Sequence, residues 1–223
     1  MCQYNTIRIF LSIALAIGFS LKVSGSTQIY LNDMTPYHSA VAALEDRLFA
    51  KFFKKRNQEN LRHEQRIKER ILKIASKYRT GLNPEVLRKI SNQIMLESRK
   101  YGYDPLFLTA LIVTESSFNN NARSRKGALG LMQIVPTTGY AIAKEANLEW
   151  RGKKTLFDPG SNILLGTYYL DKLVRHFGDL NLALEAYNHG PSQLKKYLRK
   201  GRHPKRYSRK VLTNYRKIKA QMI

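Results

Sequence analysis

The chain has 223 residues, 43% of them hydrophobic, which is enough to bury a core and excludes an intrinsically disordered protein. This length allows one domain of good size with extensions, or at most two small domains. The formal net charge of +23 predicts attraction to polyanions. Nucleic acid, anionic lipid and a carboxylate-bearing cell wall all qualify, so charge alone does not select among them.

The N-terminus has the layout of a secretory signal peptide. Residues 1–8 carry one positive side chain, residues 9–21 form an uncharged and mostly apolar run, and small residues follow at 24–26. The run is shorter than the roughly 20 residues that a helix needs to span a bilayer. We therefore predict a cleaved signal peptide over residues 1–25 and an exported protein of the periplasm or cell envelope. The alternative, an uncleaved inner-membrane anchor, leaves the rest of the chain on the same side of the membrane.

The only cysteine, Cys2, lies ahead of that apolar run. A lipid-modified cysteine is expected after such a run, so Cys2 is a poor candidate for lipidation. Once the signal peptide is removed, no thiol remains, which excludes disulfides and cysteine-based metal sites in the mature chain.

Residues 26–83 are predicted to form a linker followed by a helical arm. Apolar residues recur three and four positions apart, which is the spacing of one helix face, and the opposite face is crowded with charged residues. The apolar positions are Val41, Leu44, Leu48, Phe49, Phe52, Phe53, Ile67, Ile71, Ile74 and Tyr78. We interpret this segment as a solvated arm that packs on the main domain, with a dedicated binding element as the alternative.

The compact domain is predicted over residues 84–223. Asp104 and Pro105 indicate the start of a helix, as N-cap and first helical residue, and residues 105–116 are apolar on nearly every side, which predicts a buried helix. Residues 119–133 are rich in Asn, Gly and Ser and are predicted to form loops or a small hairpin. The predicted helices span 85–101, 105–116, 137–147, 160–177, 180–187, 191–200 and 206–221.

The C-terminal stretch is strongly basic. Residues 186–223 contain twelve Lys and Arg and no Asp or Glu. The stretch lacks a zinc motif or an RNP-type aromatic motif, and an exported protein does not meet cytosolic nucleic acid, so we predict no nucleic-acid partner. We expect the basic C-terminal helix to contact an anionic wall or membrane surface instead.

Glu115 is the candidate acid of the domain on physical grounds. It lies in the last turn of the buried helix, on the same face as Leu111 and Ile112. Desolvation favours the neutral form of a carboxyl group in apolar surroundings, and such an acid can donate a proton to a leaving oxygen near neutral pH. The alternative is a glutamate that emerges at the helix end and pairs with Arg123 or Arg125.

Three short motifs occur in order along the chain: Glu-Ser at 115–116, Gly-Leu-Met-Gln at 130–133 and Ala-Tyr-Asn at 186–188. Three longer segments accompany them, at residues 101–119, 162–170 and 207–215. In order and spacing the set resembles the soluble lytic transglycosylase family, of the glycoside hydrolase family 23 type and related to goose-type lysozyme, over roughly residues 92–215. The resemblance implies an all-α dominated, lysozyme-like α+β fold, with a helical catalytic domain, a small hairpin or loop region and an N-terminal helical arm.

The resemblance also implies a set of site residues. Glu115 is expected to be the sole catalytic acid and base. Ser124 is expected to hydrogen-bond near this glutamate, Gln133 to contact the sugar, and the Tyr187 hydroxyl to help the substrate's N-acetyl group. Asn188 is expected to contribute mainly to the structure of the cleft. The implied substrate-binding residues are Ser124, Gln133, Tyr169, Tyr187 and Asn188, with no metal and no cofactor.

The implied reaction cleaves the β-1,4 bond between N-acetylmuramic acid (MurNAc) and N-acetylglucosamine (GlcNAc) of peptidoglycan strands and closes a 1,6-anhydro ring. Ordinary glycoside hydrolysis needs two carboxylates, and no Asp or Glu lies between Glu115 and Glu145. Asp158, Asp171 or Asp179 can still fold into the site. A lysozyme-type hydrolase and an inactive wall-binding scaffold therefore remain the alternatives, and the oligomeric state is left open.

The sequence departs from the family pattern at four places. Val135 replaces a methionine that is frequent beside the cleft. Glu185 and His189 flank Tyr187 and Asn188 where small residues are usual. The acidic residue that often precedes the closing helix is missing at 203–206. These departures concern the details of the subsites rather than the class of reaction.

Overall fold

The computed structural model describes residues 35–78, 80 and 82–220, with side chains from residue 41 onward. The predicted signal peptide and Cys2 lie outside the described residues. Within this range the chain forms nine helices. They are α1 (Thr35–Ala75), α2 (Pro84–Tyr101), α3 (Pro105–Ser116), α4 (Pro136–Glu145), α5 (Lys153–Phe157), α6 (Pro159–Phe177), α7 (Leu180–His189), α8 (Pro191–Arg199) and α9 (Arg206–Ala220). None of these helices is both long and apolar enough to cross a membrane.

All seven helices predicted within the domain are confirmed, with ends within two residues of the predicted ones. Side-chain caps explain why the sequence predicts where these helices begin. The side chains of Asn83, Asp104, Asp158 and Asp179 each accept a backbone N–H in the first turn of the helix that follows, at 2.8 Å. The short helix α5 was not predicted, because five residues beginning with two lysines give no helical periodicity; Leu156 within it is fully buried.

The helix α1 is divided between two compact units, of which the first ends at Lys55 and the second begins at Arg56. In the first unit, Leu44, Leu48 and Phe52 are exposed. In the second, Ile71 and Ile74 are buried in the core. The compact unit thus includes residues 56–75, which the sequence assigned to the arm. The domain boundaries at 25/26 and 83/84 stay a prediction.

The helix α3 lies at the centre of the core and is buried from Leu106 to Ile112, as its sequence predicted. The C-terminal helix α9 packs along it. Two hydrogen bonds join them: Asn214 Nδ2 donates to Thr114 Oγ1 at 2.9 Å, and the Tyr215 hydroxyl donates to Asp104 Oδ2 at 2.6 Å. The basic helix α9 is therefore a structural neighbour of the helix that carries Glu115.

The segment between α3 and α4 is irregular, as predicted. Its pairing consists of isolated antiparallel bridges, Arg123 with Leu129 and Leu129 with Ile134. Ser117 and Phe118 turn the chain away from α3 with φ of 51° and 59°. Because a bulky residue seldom adopts a positive φ, the full burial of Phe118 must hold this turn in place. The helix-dominated fold predicted from the sequence is confirmed.

Candidate active site

Glu115 is partly buried in the last turn of α3. Burial raises the pKa of its carboxyl group to about 7. A hydrogen bond from the Tyr207 hydroxyl to Oε1 and the positive charge of Lys210 both lower this pKa, but less strongly. The group therefore exchanges a proton near neutral pH, which suits a residue that acts first as an acid and then as a base.

The alternative in which Glu115 pairs with an arginine finds no support in the described ion pairs. Arg123 places its guanidinium over the ring of Phe157, 4.9 Å from the centroid. Neither Arg123 nor Arg125 forms a described salt bridge with Glu115. Among the described residues, the Glu115 carboxyl group therefore has no guanidinium partner. This agrees with its raised pKa, because a nearby guanidinium would lower that pKa.

Tyr187 projects from α7 toward the loop at 130–133. Its hydroxyl donates to the carbonyl oxygen of Met132 at 2.8 Å, and its ring lies 5.4 Å from that of Tyr169 with the planes tilted by 45°. Burial and the negative charge of Glu115 both raise the pKa of Tyr187 well above its usual value. Because the charge of Glu115 affects the pKa of Tyr187, these two residues lie in one region, and the ring contact adds Tyr169 to it.

Close backbone contacts and the side chain of Asn162 hold the loop at 130–133 in place. Gly130 has φ of 78°, and a Cβ atom there would lie 2.3 Å from the carbonyl oxygen of Leu156. The buried Asn162 side chain donates to the carbonyl oxygens of Leu129 at 3.0 Å and Leu156 at 2.8 Å. Its Oδ1 atom accepts the N–H of Met132 at 2.7 Å. Asn162 begins the segment at 162–170 that resembles the family, but its hydrogen bonds to this loop were not predicted from the sequence.

Gln133 ends this loop with φ of 50°. Its Nε2 group donates to the carbonyl oxygens of Gly130 at 2.9 Å and Ala122 at 3.2 Å. The side chain is therefore fixed by the backbone of its own loop. The two N–H groups of the amide are occupied, so its oxygen is the atom that can accept a hydrogen bond from a sugar.

Ser124 and Asn188 are exposed. The Ser124 hydroxyl oxygen accepts the N–H of Ala128 at 3.0 Å, so it stabilises the turn at 124–128. No described hydrogen bond joins either residue to Glu115. Their roles toward the substrate, like those of Gln133, Tyr169 and Tyr187, stay predictions.

A cavity of about 780 Å³ adjoins Tyr169 and is lined by residues of α4, α6 and α8. Its charged lining residues include Lys172, which pairs with Glu145 at 2.6 Å, and Arg175, which pairs with Asp171 at 2.9 Å. The size of this cavity is within the range of pockets that hold small ligands.

Tyr207 is the residue of this region that sequence analysis missed as a site residue. It lies in the first turn of α9, and its hydroxyl donates to Oε1 of Glu115. Burial and the Glu115 charge raise its pKa well above the usual value, so the phenol keeps its proton and remains a donor. The sequence feature that could have identified Tyr207 is the likeness of residues 207–215 to the family's closing helix.

Comparison with known proteins agrees with this arrangement. The family model described as "Transglycosylase SLT domain" matches residues 92–209. A transglycosylase of the enterobacteria phage PRD1 is 34% identical over 117 residues, which is 52% of this chain and 39% of the relative.

Two solved structures resemble the chain. An inactive mutant of the lytic transglycosylase Slt from Pseudomonas aeruginosa is 26% identical with a TM-score of 0.52, covering 59% of this chain and 24% of that one. The 70 kDa soluble lytic transglycosylase of Escherichia coli gives the same identity, TM-score and coverage. The chain thus spans well under half the length of these relatives. Because the family model covers more than half of the chain, the protein belongs to the SLT-domain transglycosylase family.

Proposed function

We propose that the chain is a peptidoglycan lytic transglycosylase that cleaves the MurNAc–GlcNAc β-1,4 bond and leaves 1,6-anhydro-MurNAc. The observation that carries the proposal is Glu115, a carboxyl group with a pKa raised to about 7 by burial, in the same region as Tyr187 and Tyr169. Family membership and two lytic transglycosylase structures with a similar fold support it.

Glu115 performs both proton transfers in this mechanism. Its protonated form donates to the oxygen that joins the two sugars as the glycosidic bond breaks, and the substrate's own N-acetyl group stabilises the positive charge on the MurNAc ring. The resulting carboxylate takes the proton of the MurNAc 6-hydroxyl, whose oxygen then bonds to the anomeric carbon. The proton returns to Glu115, and no water is consumed.

The remaining predicted residues bind and orient the strand in this proposal. The amide oxygen of Gln133 accepts from a sugar hydroxyl or amide, and the paired rings of Tyr169 and Tyr187 form an apolar wall against which a sugar ring packs. The cavity beside Tyr169 accommodates neighbouring sugars. Ser124 and Asn188 support the cleft from exposed positions.

The positions of the other carboxylates favour this reaction over lysozyme-type hydrolysis. Asp158 and Asp179 cap α6 and α7, and Asp171 pairs with Arg175. Glu185 is fully buried and so cannot activate a water molecule in an open cleft. A hydrolase requires a second carboxylate on the far side of the sugar, and each of these acids has another structural role.

We further propose that the protein works in the cell envelope, where its substrate lies. The signal-like layout of residues 1–25 and the basic helices α8 and α9 support this location. Exposed cations on these helices attract the anionic wall or membrane surface.

The decisive test is a digest of purified peptidoglycan followed by mass spectrometry of the released disaccharide-peptides. The proposal expects products that lack one water relative to those of a lysozyme, and none from Glu115→Gln. Hydrated products would identify a hydrolase. A wild-type protein that binds peptidoglycan and releases nothing would identify a scaffold.

A further inference from the structure

Glu185 is a buried carboxylate that the proposed mechanism does not use. Its side chain projects from α7, and the residue is 0% exposed. Oε1 accepts the backbone N–H of Ser208 at 2.8 Å. Oε2 has no hydrogen-bond partner and lies 3.5 Å from Nε2 of His189, one turn further along α7. Burying a carboxylate is costly unless hydrogen bonds or charges compensate it, so its presence calls for a structural reason.

The reason lies at the start of α9. Ser208 is the third residue of this helix, and its N–H is one of the groups that a helix leaves without an internal partner at its N-terminus. The helix has no acidic residue in its first turn, and residues 203–205 before it are His, Pro and Lys. Glu185, on α7, therefore supplies the carboxylate that interacts favourably with the positive end of the α9 helix dipole.

This cap is adjacent to the catalytic candidate. Tyr207 directly precedes Ser208, and its hydroxyl donates to Oε1 of Glu115. Glu185 is thus connected to Glu115 by two hydrogen bonds, one to the backbone of Ser208 and one from the neighbouring Tyr207. Because Glu185 is fully buried, it acts without touching the substrate.

We propose that Glu185 is a positioning residue: by capping α9 from α7, it holds Tyr207 in hydrogen-bonding contact with Glu115. The inference rests on the proposed function, because its consequence is measured as transglycosylase activity. Three groups interact electrostatically with Glu115: Tyr207 and Lys210 from α9, and Tyr187 from α7. His189 faces Glu185, with Nε2 at 3.5 Å from Oε2.

The test compares the pH dependence of anhydro-product release by the wild type, Glu185→Ala, Glu185→Gln and Tyr207→Phe. The first proton transfer needs protonated Glu115, so kcat/KM falls as pH rises through the pKa of this group. The Tyr207 hydrogen bond lowers that pKa. Tyr207→Phe therefore moves this fall in kcat/KM, the alkaline limb of the pH profile, to higher pH. We expect Glu185→Ala to move it in the same direction and to lower kcat about tenfold with little change in KM, the size of effect that one lost positioning hydrogen bond produces.

Two variants separate positioning from general stability. Glu185→Gln keeps an oxygen that accepts from Ser208 and is expected to retain most of the activity and the wild-type limb. Glu85→Ala is the matched control: it removes a carboxylate from the first turn of α2, where Glu85 is exposed and pairs with Lys89 at 2.9 Å. It is expected to change stability only slightly and to leave the pH profile unchanged.

A double-mutant comparison completes the design. If Glu185 acts through Tyr207, then adding Glu185→Ala to Tyr207→Phe causes little further loss, because coupled residues are not additive. Should Glu185→Ala fail to fold, Glu185→Asp takes its place, since it keeps the charge and withdraws the carboxylate by one methylene. A folded variant with an unmoved limb, or fully additive losses, overturns the inference. A wild type without anhydro products overturns the proposed function instead.

Discussion

The hydroxyl of Tyr187 donates to the carbonyl oxygen of Met132 at 2.8 Å, which ties α7 to the loop that ends at Gln133. The ring of the same tyrosine lies against Tyr169. One side chain therefore joins three of the predicted site segments, and removing its hydroxyl tests whether their alignment matters to activity.

We predict that Tyr187→Phe lowers kcat/KM about tenfold or more. A typical hydrogen bond of this kind contributes about 0.5–1.5 kcal/mol, and the family resemblance implies that the hydroxyl also helps the N-acetyl group. Rates of product release from purified peptidoglycan measure the effect. Tyr169→Phe is the control, since it keeps the ring contact and removes a hydroxyl with no described hydrogen bond; it should lose less. Equal losses in the two variants would contradict the role of the Tyr187 hydroxyl.

The raised pKa of Glu115 predicts a pH-dependent stability. The folded state holds the proton up to about pH 7, whereas the ordinary pKa of a glutamate carboxyl group is 4.5. Between these two values the folded state binds more protons than the unfolded state, so the free energy of unfolding decreases as pH rises through this window.

Glu115→Gln removes the titration and keeps a neutral side chain of the same shape. We therefore expect this variant to be more stable than the wild type at pH 8, by up to about 3 kcal/mol at 1.36 kcal/mol per pKa unit. The difference should shrink as pH falls from 7 toward 4.5. Urea denaturation at a series of pH values measures it, and a difference that stays constant with pH would show that Glu115 titrates normally.

Gly130 is expected to tolerate no side chain. Gly130→Ala places a Cβ atom 2.3 Å from the carbonyl oxygen of Leu156 in a residue with φ of 78°, so we expect a loss of more than about 2 kcal/mol and a loss of activity. Gly127 is the matched control in the same segment, with φ of 80° and nothing within 4 Å of its Cβ position. Gly127→Ala should cost about 1 kcal/mol, as measured by thermal unfolding; equal effects would contradict the close approach at Gly130.

Binding to the wall is expected to depend on salt. Arg209 and Arg216 are exposed on α9 and line a cavity of about 610 Å³ with His203 and Lys205. Exposed charge contacts are screened beyond about 10 Å at 0.1 M salt, so the fraction of protein that sediments with purified peptidoglycan should fall as salt increases. The Arg209→Glu, Arg216→Glu double variant should lower it further at low salt. Binding that is indifferent to both changes would rule out an electrostatic contribution from α9.

The sequence alone determined the seven longer helices of the compact domain and their order. Asp104 and Pro105 define the start of α3, and the apolar run after them predicts its burial, because capping and hydrophobic periodicity act within one or two helical turns. Chain proximity also placed Glu115 in apolar surroundings, whereas Gln133 and Tyr187 were expected as site residues only because three short motifs resemble those of the transglycosylase family.

Only the tertiary structure decided which side chains meet across the fold. Tyr207 and Glu115 are 92 positions apart, and Glu185 reaches Ser208 only because α7 and α9 pack together. Asn162 likewise holds the loop at Met132 from another helix. Such contacts depend on the relative placement of helices, which is set by the packing of the whole core, so local propensity and periodicity did not predict them.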